Sequence, residues 1–550
     1  MSSTAIQRIE EAYQAQLHRT FYAAWPENPR AYAEDANAHG LDAFQKSLAN
    51  NFKGLDESGS HQWLGEEVSP YLMQGLGVQY PAFTAEALID KAKTAQQIWG
   101  KTSVQQRAEL LLACLDNVSE RFFEIAYATM HTTGQSFVMS FQASGPHAND
   151  RALEAVSMGY HELTRFPSNV EWVKNMGKFD LTLQKNFKPI PKGISVVIGC
   201  STFPTWNTVP GLFASLITGN VSIVKPHPKS ILPIAIVVAE MQKVFTNAGL
   251  PLGVVQLAVD TVSNPITKAL AEHSLVKLVD YTGGSSFGDY LETLSGKTVF
   301  TEKAGVNSVI LDSVQDAASV FGNLAFAASL YSGQMCTAPQ NVFVPAAGIK
   351  TAEGTMSYDE VVAGIAAAVK GLAENPKMGA GTLGAIQNEI TANRVKDTVS
   401  ASENNSVAAA SLAVENSEFP DARTASPAVI AVDSESISAW KHECFGPIVF
   451  VVKTKDSDHS LQLAAECATE LGAITCQCYS TNPEFMDKTE ETMNAAFTPV
   501  SFNFTGAAFV NQHAAYSDLH VTGGNPSGNA TFTDAQYVNR RFVWVGNRRM

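Results

Sequence analysis

The segments GISVVIGC (193–200), TGNVSIVKP (218–226), VVQLAVD (254–260), VKLVDYTGGSSFG (276–288) and KTVFTEKAG (297–305) decide the fold. Each holds a short aliphatic, β-branched run without polar alternation, the pattern of a strand covered on both faces. Between them lie helical stretches: Thr208–Thr218 closing at Gly219-Asn220, Ile231–Asn247 closing at Gly249, Pro265–His273 and Ser285–Leu294. Strands joined by single helices run parallel. The spacing therefore predicts an α/β fold built on a doubly wound parallel sheet of the nucleotide-binding type.

Such sheets bind ligands beyond the carboxyl ends of their strands, where loops converge and helix amino termini point outward. That rule nominates four loops: Cys200–Asn207, Lys225–Lys229, Gly283–Gly288 and Glu302–Gly305. Downstream, strand Ser308–Asp312, helix Gln315–Tyr331 and strands Asn341–Pro345, Ala428–Val432, Ile448–Lys453, Ala473–Tyr479 and Val500–Phe504 predict a second α/β unit. The loop entering Asn341–Pro345 carries SGQMCT (332–337). A cysteine in a glycine-containing loop at the mouth of a two-lobed crevice is placed to be a nucleophile if its pKa is lowered locally. The competing reading of Cys336 is a packed core thiol.

Upstream, Ser103 and Gln106 form a capping box for a helix whose apolar residues recur at helical spacing, and another helix spans about Glu86–Trp99. Residues 1–80 mix Trp, Tyr and Phe with many charges and read as an ordered extension. The expected organisation is an extension at 1–80, a cofactor domain at 81–305 with 507–530 returning to it, and a catalytic domain at 306–506. Segments 178–190 and 535–550 are expected to supply a small β oligomerisation element, making a homodimer or homotetramer.

Composition narrows the function. With 53 acidic against 38 basic residues and a net charge of −15, the chain repels phosphate backbones and anionic lipid, so neither nucleic acid nor membrane is an expected partner. The longest apolar run, Ile231–Ala239, is broken by Pro233 and falls far short of the ~20 residues that cross a bilayer. No secretory leader is legible, and the seven scattered cysteines read as reduced thiols, so the cytoplasm is the expected compartment. Cys476 and Cys478 share one strand face but lack a second Cys/His pair, and no histidine spacing marks a metal site or a catalytic triad.

Taken in order, Phe203-Pro204, Thr218-Gly219-Asn220, Val224-Lys225-Pro226, Tyr281-Thr282-Gly283-Gly284-Ser285, Glu302, Gly333-Gln334-x-Cys336 and Glu443-x-Phe445-Gly446-Pro447 resemble the landmarks of the aldehyde dehydrogenase superfamily from about residue 80 onward. Phe203–Trp206, Glu302–Asn307, Gly333–Ala338 and His131–Gln135 resemble the phenylacetate-degradation branch, the PaaN and PaaZ-type enzymes.

The resemblance implies that Cys336 attacks an aldehyde, that the two electrons pass to a nicotinamide dinucleotide, and that Glu302 deprotonates the water that hydrolyses the thioester. It further implies cofactor contacts from Lys225, Pro204, His227, Gly283, Gly284, Ser285, Glu443 and Phe445. The family's usual oxyanion-donor asparagine is replaced by Thr202, whose hydroxyl is shorter; Asn207 is the alternative donor, or a helix cap. NAD-selective relatives carry a glutamate three residues beyond the lysine, where this chain has Pro228 flanked by His227, Lys229 and Ser230; the reading at this point is NADP in preference to NAD. The substrate class implied is a semialdehyde or CoA-linked aldehyde of aromatic-acid catabolism. Three alternatives stand: an acylating, CoA-dependent enzyme, which Glu302 argues against; a nucleotide-binding scaffold with weak catalysis, which only Thr202 favours; and a cysteine acyltransferase or hydrolase, which needs a histidine partner that nothing in the sequence marks.

Overall fold

The computed structural model describes residues 3–402, 406–509 and 515–550. Residues 1–2, 403–405 and 510–514 lie outside the described residues, so parts of the segments expected at 1–80, 306–506 and 507–530 are not described.

Five parallel strands form the first sheet: β1 (Ile194–Ile198), β2 (Val221–Lys225), β3 (Val255–Leu257), β4 (Val276–Gly283) and β5 (Thr298–Lys303). Their spatial order is β3-β2-β1-β4-β5. The order reverses between β1 and β4, so the loops leaving these two neighbours diverge and open a crevice there. Four helices connect the strands: α1 (Pro204–Ile217), α2 (Leu232–Asn247), the short helix Thr267–Glu272, and α3 (Ser285–Glu292). Pro204 opens α1, where its missing N–H costs nothing. The buried Glu67 carboxylate accepts the backbone N–H groups of Ile231 and Leu232 at 2.5 and 2.9 Å, fastening the extension to the start of α2.

The second sheet has seven strands: β6 (Asn307–Leu311), β7 (Pro339–Pro345), β8 (Val407–Ala409), β9 (Ala428–Asp433), β10 (Ile448–Thr454), β11 (Cys476–Tyr479) and β12 (Val500–Phe502), in the order β8-β9-β10-β7-β6-β11-β12. All pairs are parallel except β8 with β9. Helix α4 (Ala317–Ser329) leads from β6 toward the Cys336 loop. The predicted α/β architecture with a doubly wound parallel sheet is the one observed.

Strands Asn169–Asn175, Asp180–Pro191 and Phe542–Arg549 make a separate antiparallel sheet, its faces largely exposed. The two segments expected to mediate oligomerisation thus pair with each other inside one chain. Among the described residues no helix is long and apolar enough to cross a membrane.

The chain end is locked to the first sheet by one buried ion pair. Arg541, fully buried, donates to both oxygens of Asp280 on β4 at 2.6 and 2.7 Å and to Ser215 Oγ on α1 at 2.8 Å, and the Tyr537 hydroxyl donates to the same carboxylate at 3.0 Å. Replacing one partner strands the other charge in a dry interior. Asp280→Asn is therefore expected to cost about 3–5 kcal/mol in denaturant unfolding; a loss under about 1 kcal/mol would show the pair to be solvated.

Candidate active site

The Cys336 loop begins with three consecutive left-handed residues: Tyr331 (φ 51°), Ser332 (φ 50°) and Gly333 (φ 62°). L-residues avoid this region, so the conformation persists only where surroundings fix it. They do. The buried Tyr331 hydroxyl donates to the Thr133 carbonyl at 2.6 Å, Ser332 Oγ lies 3.0 Å from the carbonyls of Leu383 and Ala425, and Gln334 Nε2 donates to Ala385 at 3.0 Å. Asn307 then clamps the far side: Nδ2 donates to the Cys336 and Ala338 carbonyls at 2.8 and 3.0 Å, and Oδ1 accepts from the N–H groups of Ile474 and Thr475.

Opposite this loop, Glu302 near the end of β5 is 1% exposed and is held from two directions. Asn207 Nδ2 donates to Oε2 at 2.8 Å, and His520 Nε2 lies 3.0 Å from Oε1. The Cys336 sulfur, a Glu302 oxygen and a His520 nitrogen all fall within 4.8 Å of one another. Desolvation, then the facing Glu302 carboxylate, push the Cys336 thiol well above its ordinary value. Burial pushes neighbouring Cys200 up to about 11.

Two cavities meet at Cys336. The larger, about 780 Å³, is walled by Phe203, Trp206, Phe326, Met335 and Phe509, with His520 and Asn207 at its inner end. Phe21 and Glu27 of the extension also line it. The smaller, about 320 Å³, runs between the lobes past Thr202, Gly283, Gly284, Glu443 and Phe445. Cys336, Asn207 and Phe203 line both.

Of the residues nominated from sequence, Cys336, Glu302, Thr202, Asn207, Gly283, Gly284, Glu443 and Phe445 therefore converge on one cleft. Pro204, Ser285, Lys225 and His227 line neither cavity. Pro204 and Ser285 open α1 and α3, while Lys225 and His227 sit at the end of β2, the same sheet edge as Cys200. Asn207 lies inside α1 and does not cap it; Phe203 holds that position. Thr202 is fixed through its carbonyl, which accepts from Gln135 Nε2 at 2.7 Å, and its hydroxyl lies 4.0 Å from Cys200 Sγ.

Sequence reasoning missed His520, which no spacing rule connects to a carboxylate 218 positions away. It also missed Arg394, which donates to the Phe445 carbonyl and tempers the upward push that burial gives the Glu443 carboxyl, and Gln387, which donates to the Ser201 carbonyl.

The cleft suits a dinucleotide. Gly284 precedes α3 with no side-chain cap, and a Cβ placed on it meets nothing within 4 Å, so the first N–H groups of α3 face open space beside the cleft. A Cβ on Gly283 would lie 2.5 Å from the Tyr281 hydroxyl, so close passage of the backbone needs glycine.

This fold is that of one enzyme class. The aldehyde dehydrogenase family model matches residues 78–508, and the chain belongs to that family of aldehyde-oxidising enzymes. It is 41% identical to the NAD-dependent aldehyde dehydrogenase structure from Burkholderia multivorans, covering 100% of this chain and 98% of that one with a TM-score of 0.95. A 1-pyrroline-5-carboxylate dehydrogenase of Bacillus cereus is 23% identical over 438 residues, 77% of this chain and 78% of that protein. The corresponding Thermus enzyme, solved with NAD, shares the fold at 18% identity, with 96% and 99% coverage and a TM-score of 0.73.

Gly333 offers a direct probe of the loop. A Cβ there would lie 2.6 Å from the Gly446 carbonyl at a φ of 62°. Gly333→Ala is expected to lower stability by more than about 1 kcal/mol and to slow iodoacetamide labelling of Cys336. Unchanged labelling would mean that the loop does not aim the sulfur.

Proposed function

We propose that the chain oxidises an aldehyde to its carboxylic acid with Cys336 as nucleophile and Glu302 as general base. The observation that carries this reading is the meeting of a large cavity and an interlobe cleft at one sulfur, with a buried carboxylate beside it. A nicotinamide dinucleotide, when bound, supplies the two-electron acceptor that the oxidation needs. Cys336 gives its proton up to solvent and its sulfur attacks the carbonyl carbon; the aldehydic hydrogen would leave with its electron pair for that acceptor, giving a thioester. Glu302 then takes a proton from water, the water oxygen attacks the thioester carbon, and the C–S bond breaks to release the acid. The Cys336 backbone N–H and the second amide hydrogen of Asn207 are our preferred oxyanion donors, with Thr202 next. Glu302 within reach of the sulfur favours hydrolysis over transfer to CoA, and His520 aids that hydrolysis by holding Glu302.

The cofactor domain is assigned to 81–305 and the catalytic domain to 306–506, with residues from 515 to 530 packing back on the first core. Gly283, Gly284 and Ser285 are assigned to the dinucleotide phosphates, Glu443 and Phe445 to the nicotinamide half, and Pro204, Lys225 and His227 to the remaining contacts. Between the two dinucleotides, local charge supports NAD over the NADP suggested by Pro228. Lys225 is buried and paired with Asp260 at 2.6 Å, Glu66 adds negative field, and burial pushes His227 down to about 4, leaving it neutral. A phosphate on the adenine ribose would face the negative field of Asp260 and Glu66 there, with Lys229 the neighbouring cation outside that pair. The NAD-dependent Burkholderia relative agrees with this reading.

For substrate, the cavity supports a bulky, largely apolar aldehyde, in keeping with the resemblance to aromatic-acid catabolism, including a CoA-linked aldehyde. Among the described lining residues the one Lys or Arg is Arg151, which is buried and paired with Glu154 at 2.9 Å. No spare cation is left for a substrate carboxylate of the kind a pyrroline-carboxylate enzyme handles. The exposed three-stranded sheet, with Val173, Phe179 and Val543 more than half exposed, is assigned to a homodimer or homotetramer contact.

Cys336→Ala is expected to abolish turnover while dinucleotide binding persists, and Glu302→Gln to give one rapid equivalent of reduced cofactor followed by slow turnover, with NAD outpacing NADP in the parent enzyme. Full activity in Cys336→Ala would remove the nucleophile. Phe21→Ala is expected to raise KM for a bulky aromatic aldehyde about fivefold, with kcat and the KM for acetaldehyde nearly unchanged; equal effects on both substrates would take the extension out of the cavity wall.

A further inference from the structure

The cluster of Cys336, Glu302 and His520 has a second chemical capacity that oxidation does not use. It offers one sulfur, one oxygen and one imidazole nitrogen, all within 4.8 Å of one another. Metal–ligand lengths of about 2.0–2.3 Å in a tetrahedral zinc site put donor atoms roughly 3.3–3.8 Å apart, so each donor needs to move by about 1 Å or less. A mixed S, N, O set matches borderline-soft divalent cations.

The surroundings favour such a cation. Glu302 is buried beside a thiol, and the side chains that act on that thiol, Glu302 and Cys200, include no cation. The nearest basic side chains lining the cavities are already engaged: Arg151 with Glu154, Lys303 with Asp289, and Arg394 with the Phe445 carbonyl. The ligands are also preorganised. Asn207 donates to the second Glu302 oxygen, and the His520 ring packs edge-on against Trp206 at 4.7 Å and beside Phe532 at 5.3 Å. The large cavity opens onto the cluster, leaving a fourth position for water, as in zinc sites with three protein ligands.

We propose that in the cofactor-free enzyme Cys336, Glu302 and His520 bind a borderline-soft divalent cation of the zinc class, and that this binding reversibly closes the nucleophile. Coordination releases the Cys336 proton to solvent and occupies the sulfur lone pair that an aldehyde needs. The claim rests on the donor geometry and not on the catalytic roles assigned above.

The test uses the full chain without dinucleotide and with zinc chloride as the probe. Alkylation of Cys336 by iodoacetamide, followed by peptide mass, is expected to slow by about tenfold or more with zinc and to recover on chelation. His520→Gln, with folding checked by thermal unfolding, is expected to need about tenfold more zinc for the same protection, and Glu302→Gln to shift in the same direction. Cobalt chloride is expected to give a thiolate charge-transfer band that Cys336→Ala removes. Equal protection in His520→Gln, no protection in the parent enzyme, or protection without a cobalt–thiolate band would each overturn the site. None of these readouts requires turnover, so the metal site and the nucleophile assignment can fail separately.

Discussion

The side chain of Asn307 is the hinge on which the site depends. A primary amide has two hydrogens and two lone pairs, and here all four go to backbone: two to the Cys336 loop and two to the start of β11. Two left-handed non-glycine residues precede that loop, each costing about 1–3 kcal/mol. A single hydrogen bond contributes about 0.5–1.5 kcal/mol net, so no one contact holds the loop. It stays because Asn307, Tyr331, Ser332 and Gln334 act together, joining the loop to the end of the helix at Thr133, to Leu383, Ala385 and Ala425, and to the second sheet at once.

That rigidity sets the electrostatics. A carboxylate beside a thiol suits a base that must meet water, and it opposes formation of the thiolate. The fold accepts this conflict: it buries Glu302, ties it with Asn207 and His520, and burial and the facing carboxylate push the Cys336 thiol up. A higher thiol pKa lowers the thiolate fraction, and with it the rate of oxidation and alkylation.

The first sheet was legible because short β-branched segments without regular polar alternation recur between helical stretches, as in β2 (Val221–Lys225) and β5 (Thr298–Lys303). Boundaries were misread where side chains intervene. The strand expected from Ala473 starts at Cys476 because the N–H groups of Ile474 and Thr475 go to Asn307 instead of a ladder. The helix expected from Thr208 starts at Pro204, since proline suits a first turn that periodicity alone does not register. β8, three residues long and antiparallel, is too short to leave a pattern. Thr202, Gly283, Gly284 and Glu302 converged because they lie at or just beyond the ends of β1, β4 and β5, which sequence does encode. His520 could not be read, since its place follows from the return of the chain along β5, where Gly528 bridges Glu302 and Asn529 accepts from the Thr301 N–H.

The extension shows how stability and selectivity are coupled. The family match begins at residue 78, yet Phe21 and Glu27 stand in the wall of the large cavity. They are held there by contacts with the body of the enzyme: the Ala24 N–H donates to Asp150 at 2.9 Å, Glu27 lies 2.9 Å from His147, and Tyr22 packs edge-on against Tyr516. Glu67, farther along, is buried at the start of α2 and pushed up to about 7 by that burial. An extension that only decorated the surface would have no reason to bury a carboxylate under a helix of the cofactor lobe. Because the same segment fastens the first lobe and walls the cavity, substitutions that loosen it are expected to change which aldehydes fit before they change the chemistry at the sulfur.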